Sequence, residues 1–431
     1  MKLMIASSAL ALLIAAAPAS AQMNQNYNQA SQAPDSAAVR TTAQPANSGQ
    51  PPANAQAAQK QIHPSSKAAK AIGELQTVVN KNDTANIPAK LAAAQAVAST
   101  PDDRYAIAEL QLKAALAAHD NNAAAAAVDA VVASGFIDAT TSADLLRSMG
   151  STLYNAKQFD QAAAVFQKAV GVNPRDAEAY TLLGEAKFAS GAKADAAAAF
   201  QHAVQLQAAA GQKPDEALLK RAVSVAYEAQ SPLAVELGRE WAAAYPSADS
   251  WRNSIAIYRN LTHPDVEGTL DLLRLMQATN ALNAGDIALF AEAAADQGNF
   301  NEAQAVIDAG LASHVIEASN PQYRDIISGL KGKPKASAAD LQAAVKMSPS
   351  TTNLVRIGDR YYGMGDYAHA ADIYRQVLAK PDADKDVANL HLGMALARAG
   401  DKAGATAALN AVTGARAAIA KFWLTYVQQH A

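Results

Sequence analysis

Eight histidines (His63, His119, His202, His263, His314, His369, His391 and His430) and no cysteine are what this chain offers for metal or thiol chemistry. No two histidines stand three or four residues apart, the spacing that sets two imidazoles on one helix face, and no HExxH occurs. Gly363-Met364-Gly365-Asp366 is a GxG without the preceding strand that a phosphate-cradling loop needs. Lys331, Lys333 and Lys335 share a Gly/Pro loop and read as solvated charges. Trp241, Trp251 and Trp423 sit on helical stripes and read as core, and His391 reads as a packing or surface residue. Asp and Glu are plentiful, but a helical pattern alone singles out no catalytic pair. The expectation is therefore a non-enzyme without catalytic residues, cofactor or metal. What chemistry remains is recognition by a surface.

The elements that would carry such a surface are helices. Half of the residues are hydrophobic but only 6% are aromatic, so alanine supplies most of the apolar count. Alanine favours thin helices that approach closely. The net charge of −3 argues against a nucleic-acid partner held through phosphates.

Over 143–210 the sequence repeats at an offset of 34. Gly150 falls on Gly184, Ala162 on Ala196, Phe166 on Phe200 and Ala169 on Ala203. A glycine lets one helix approach the next, and the phenylalanine fills the space where the two splay. With the small residue in eighth place, units start at 143, 177, 215, 248, 284, 318, 351 and 386, so the array reads as continuous. Gly191, Gly298, Gly365 and Gly400 all fall fifteenth, where a left-handed residue would close the first helix. The best copies are 143–176, 177–210, 351–385 and 386–413, while the units at 248 and 318 match least well. The period and pattern resemble the tetratricopeptide repeat (TPR) family. That resemblance implies an all-α fold, a right-handed α-solenoid of stacked antiparallel helix pairs spanning 143–413. Residues 67–142 read as degenerate Ala-rich pairs, with Ile72, Leu75 and Val79 at helical spacing. Residues 414–431 read as a closing helix with Ile419, Phe422, Trp423 and Tyr426 on one stripe.

In that family the first helices line a concave groove that holds segments of partner proteins. Matching its groove positions here implies Arg147, Tyr154, Asn155, Glu178, Glu185, Phe188, Tyr227, Arg252, Arg259, Asn260, Asp359, Tyr362 and Arg398. Arg147, Tyr154, Glu185 and Phe188 form the leading group, with two rings 34 residues apart on one face. The family's Lys/Asn carboxylate clamp is absent, because Arg147 and Ser151 are followed by Glu178 and Leu182. The expected partner is another protein, with no nucleic acid. The alternatives are a structural subunit of an envelope assembly, secretion or polysaccharide-export complex and, more remotely, a small-ligand-binding protein or enzyme.

Residues 1–21 read as a secretory signal peptide. Lys2 precedes an apolar run from residue 3 to 17, Pro18 breaks it, and Ala19-Ser20-Ala21 offers a cleavage site before Gln22. Residues 22–66 are rich in Gln, Asn, Pro and Ala and read as a disordered linker. The expected location is the periplasm or cell envelope of a Gram-negative bacterium, with no membrane segment left after cleavage.

Overall fold

The structure, a computed structural model, describes residues 61–347 and 349–430. The leader at 1–21 and the expected linker as far as residue 60 lie outside the described residues. Among the described residues there are 21 helices and no strand, the all-α helical solenoid class. The chain divides into two compact units, residues 1–231 and 232–431, and each is taken by itself.

The first unit holds α1 (Ala69–Asn80), α2 (Ile87–Val97), α3 (Pro101–Ala117), α4 (Asn121–Ala133), α5 (Ala139–Asn155), α6 (Phe159–Val172), α7 (Ala177–Ala189), α8 (Lys193–Ala209) and α9 (Glu216–Glu228). Each helix packs mainly on its neighbours along the chain. Asp138, Asp176 and Asp215 cap the starts of α5, α7 and α9 by accepting backbone N–H groups. Gly150 faces the Phe166 ring and Gly184 the Phe200 ring so closely that a Cβ would come within 2.6 and 2.9 Å. The turns after the first helices are left-handed at Gly191 (φ 90°), and also at Lys157 and Gln230. One boundary needs correction: the last residues of the expected linker, 61–66, are built into the fold. Ser65 donates its N–H and hydroxyl to buried Asp103 (2.7 and 2.9 Å), and the His63 N–H goes to Asp102 (2.8 Å). Burial raises the Asp103 carboxyl, but bonds from Ser99, Ser65 and Thr100 outweigh it and hold the group well below the usual carboxylate range.

The second unit holds α10 (Leu233–Ala244), α11 (Ala248–Thr262), α12 (Val266–Ala278), α13 (Ala284–Asp296), α14 (Phe300–Ala312), α15 (Pro321–Leu330), α16 (Ala338–Lys346), α17 (Thr351–Gly363), α18 (Tyr367–Leu378), α19 (Lys385–Ala399), α20 (Lys402–Asn410) and α21 (Ala417–Gln429). The hairpins α13/α14, α17/α18 and α19/α20 follow the repeat, with left-handed Gly298, Gly365 and Gly400 at their turns. Gly358 and Gly393 lie against Tyr374 and Leu409, as the pattern requires.

Three departures correct the continuous array. At 318, α15 and α16 do not form a hairpin: α15 packs on α13 and α14, and α17 packs directly on α14. The long glycine- and proline-containing loop between α15 and α16 is tied to α14 instead, by two bonds between Asn301 and the Ala336 backbone. At 248, α12 turns inward and buries Leu270, Asp271, Leu272, Leu273, Arg274, Leu275 and Met276. Its leucines cover most of the circumference and its one polar stripe, Asp271 and Arg274, is buried through ion pairs, so the helix becomes the core about which others pack. Finally, α21 does more than cover the end of the array. It packs on α20 and α19, and also returns to α10 and α12. Phe422 meets Trp251 and Tyr258, and Trp423 donates to the Asp271 carbonyl (3.3 Å).

Candidate protein-binding face

In the first unit the repeat brings α5, α7 and α9 side by side as first helices. Arg147 on α5 lies among three carboxylates: Asp144 (2.6 Å), Asp176 (3.2 Å) and Glu178. Glu178 and Asp144 remain largely open, so this corner carries a negative surplus. Two helix turns beyond, Tyr154 is half-buried with its ring edge-on to Phe159 at 5.2 Å. Burial raises its phenol pKa, and the neighbouring Glu185 carboxylate adds to that while Arg221 opposes it. Glu185 on α7 accepts a two-pronged pair from Arg221 on α9, Nε to Oε1 and Nη2 to Oε2, both 2.8 Å. The Arg221 guanidinium lies 4.4 Å from the centre of the half-buried Phe188 ring. Such bidentate, ring-stacked guanidinium pairs hold a fixed geometry. Asn155 is exposed at the end of α5, and Tyr227 is half-buried on α9.

Most of the groove residues expected in the second unit meet a different fate, because they bond to other parts of the chain. Tyr362 is buried, with the Arg274 guanidinium of α12 at 4.9 Å from its ring and Tyr367 edge-on at 5.0 Å. It is no open contact. Asp359 accepts from Tyr374 (2.7 Å) and stands 3.1 Å from His391 and 3.6 Å from Arg274. Arg252 donates to the Ala281 carbonyl (2.9 Å), Arg259 pairs with Asp286 (3.3 Å), and Arg398 donates to the Tyr367 hydroxyl (3.0 Å). Asn260 is exposed.

Arg221, Asp271, Arg274, Glu302 and His391 are the residues that sequence reasoning missed or misjudged. His391 is an ion-pair centre, with Nε2 3.1 Å from Asp271 and Nδ1 3.1 Å from Asp359. Burial alone would lower its pKa, but the two carboxylates outweigh burial and push it up to about 10. Both ring nitrogens therefore carry protons at neutral pH. Arg274 gives Nε and Nη2 to Glu302 (2.8 and 2.9 Å), and Arg416 ties the start of α21 to Glu267 (2.8 Å) and Asp265 (3.2 Å). The readable signal was Asp271 and Arg274 inside a leucine run, where ions are buried only if paired.

Small residue against ring, left-handed turn, and next first helix stacked behind: these define a helical-hairpin repeat protein. The tetratricopeptide repeat model matches residues 147–214 and 355–420, so these two stretches carry repeats of that kind. Among solved structures it is similar to the MamA RS-1 ArsTM double mutant, 17% identical over 47% of this chain and 100% of that one, TM-score 0.24. PilF of Pseudomonas aeruginosa is 14% identical over 61% of this chain and 97% of that one, TM-score 0.22. A tetratricopeptide repeat protein from Parabacteroides merdae is 11% identical over 75% and 99%, TM-score 0.25. No curated protein matches the sequence. No helix among the described residues is long and apolar enough to cross a membrane.

Proposed function

We propose that this protein is a non-catalytic scaffold of the periplasm that binds another envelope protein through the α5–α7–α9 face. The observation that carries the reading is the contrast between the units. In the first, Tyr154 and Phe188 stand half-exposed among charges; in the second, the matching ring, Tyr362, is buried with Arg274 of α12 over it. Partly exposed rings ringed by charge mark interaction surfaces, where a few aromatic and arginine anchors carry most of the affinity. The periplasmic assignment is supported by Lys2, the apolar run after it and Ala19-Ser20-Ala21.

The test places a photocrosslinker at Asn155 and, for comparison, at exposed Lys168 on α6. One partner should be captured from Asn155 in the native envelope, and Tyr154→Ala with Phe188→Ala should weaken it by more than ~2 kcal/mol without changing thermal stability. Equal capture from Lys168, or by the double variant, would place the working surface elsewhere.

A further inference from the structure

The second unit shows what this kind of face holds. Asp359 lies six residues and Tyr362 three residues before left-handed Gly365, and His391 lies nine before left-handed Gly400. In the first unit Glu185 and Phe188 lie six and three before left-handed Gly191, and Arg221 nine before left-handed Gln230. Acid, aromatic ring and cation thus occupy the same register on consecutive first helices in both units. The acid and the cation also meet across the two helices in both, Glu185 with Arg221 at 2.8 Å and Asp359 with His391 at 3.1 Å.

Over the second set lies α12. Its Asp271 stands on His391 (3.1 Å), and its Arg274 reaches Asp359 (3.6 Å) and the Tyr362 ring (4.9 Å). Three residues apart, Asp271 and Arg274 project from one side of the helix while its leucines fill the core. Among the described residues of the first unit the helices pack mainly on their chain neighbours, and none of them takes the place of α12. Arg221 uses Nε and Nη2 on Glu185, so Nη1 lies outside that pair. The nearby acidic surplus around Arg147 favours a cation in the ligand.

We infer that the α5–α7–α9 face recognises an apolar helix of a partner protein that carries an aspartate and, three residues on, an arginine. The partner's aspartate meets Arg221 and its arginine meets Glu185 beside Phe188, as α12 meets His391, Asp359 and Tyr362. This rests on reading that face as the partner-binding surface.

The probe is a fluorescent peptide of residues 264–280, the α12 sequence, titrated into the full chain by anisotropy. Saturable binding is expected, weakened at least about tenfold by Asp271→Ala with Arg274→Ala in the peptide. Glu185→Arg with Arg221→Glu in the protein keeps the internal pair but reverses it. It should weaken the native peptide and restore a peptide bearing Asp271→Arg with Arg274→Asp. Should that variant lose its helical circular dichroism, Glu185→Gln with Arg221→Gln replaces it, and the native peptide should again weaken. No saturable binding, or binding indifferent to these exchanges, overturns the inference. If the peptide fails while capture through Asn155 still depends on Tyr154 and Phe188, the helix code is wrong and the face stands. If both fail, the face itself is wrong.

Discussion

Replacing Gly184 by alanine tests the repeat geometry at one atom. The added Cβ would sit 2.9 Å from Cε2 of Phe200 and 3.0 Å from Cδ2 and Cζ. Carbon atoms prefer about 3.5–4.0 Å, so ring or helix must yield by roughly 0.5–1 Å. The ring cannot swing aside, because Phe200 is fully buried between α7 and α8. Overpacking of this kind costs about 1–3 kcal/mol. Alanine's helical advantage over glycine returns roughly 0.5–1 kcal/mol, leaving a net loss of about 0.5–2 kcal/mol. Gly171 is the matched control: it is exposed near the end of α6, has nothing within 4 Å of a Cβ, and is not left-handed. Gly171→Ala should be neutral or gain up to about 0.5 kcal/mol. Gly211 also has open space, but its φ of 72° makes Gly211→Ala cost about 1 kcal/mol through the backbone alone. Urea unfolding followed by helical circular dichroism, at unchanged slope, should show Gly184 and Gly211 destabilised and Gly171 harmless. Equal shifts at Gly184 and Gly171 would refute the reasoning, since only the contact with Phe200 separates them.

Further outcomes follow from the second unit. His391 has a folded pKa near 10, above the ordinary 6.5, so its stabilisation is full below about pH 6.5 and lost as pH rises through 10. NMR of its ring protons should show no titration between about pH 5 and 8, and His391→Gln should flatten the loss of melting temperature on the alkaline side. Arg274→Met leaves Glu302 buried without its cation and should cost about 3–5 kcal/mol, read from urea unfolding. Ending the chain after Thr413 removes α21 and exposes Trp251 and Tyr258. Limited proteolysis should then digest the second unit while a fragment ending near residue 231 persists.

The hairpins were legible because their signals are local. The Gly150/Phe166 and Gly184/Phe200 pairs are each sixteen residues apart, and the turn glycines recur at a fixed place whose φ is positive in all four cases. The docking of α21 was not legible, since Trp423 and Asp271 meet across 152 residues and nothing local encodes such a meeting. The inward turn of α12 left a faint trace, Asp271 and Arg274 set in a run of leucines. Of the expected groove, Tyr154, Glu185 and Phe188 come together because stacking alone aligns equivalent positions. Asp359 and Tyr362 of the second unit sit at the same positions yet are met by Arg274 of α12, because occupancy is a tertiary fact that the repeat does not record.

Why the second unit should bury ions at all follows from the shape of α12. A helix carrying Leu270, Leu272, Leu273 and Leu275 around its circumference has several nearly equivalent ways to sit in an apolar channel, rotated or slid by a turn. Burial free energy is non-directional and separates these poses poorly. Asp271 and Arg274 separate them sharply, because any other pose leaves Asp271, Asp359, Glu302 or His391 buried without its counter-charge. Arg416 extends the same lock to α21, since its guanidinium reaches Asp265 and Glu267 at the start of α12. The charges thus select one closed arrangement rather than adding much stability of their own. A unit locked in this way cannot exchange α12 for another helix without stranding charge. The corresponding set on α7 and α9 is already satisfied by Glu185 and Arg221 alone, and no stranded charge results when that face stands empty. On the proposed reading, that difference lets the same residue pattern serve as core in one unit and as a reversible receptor in the other.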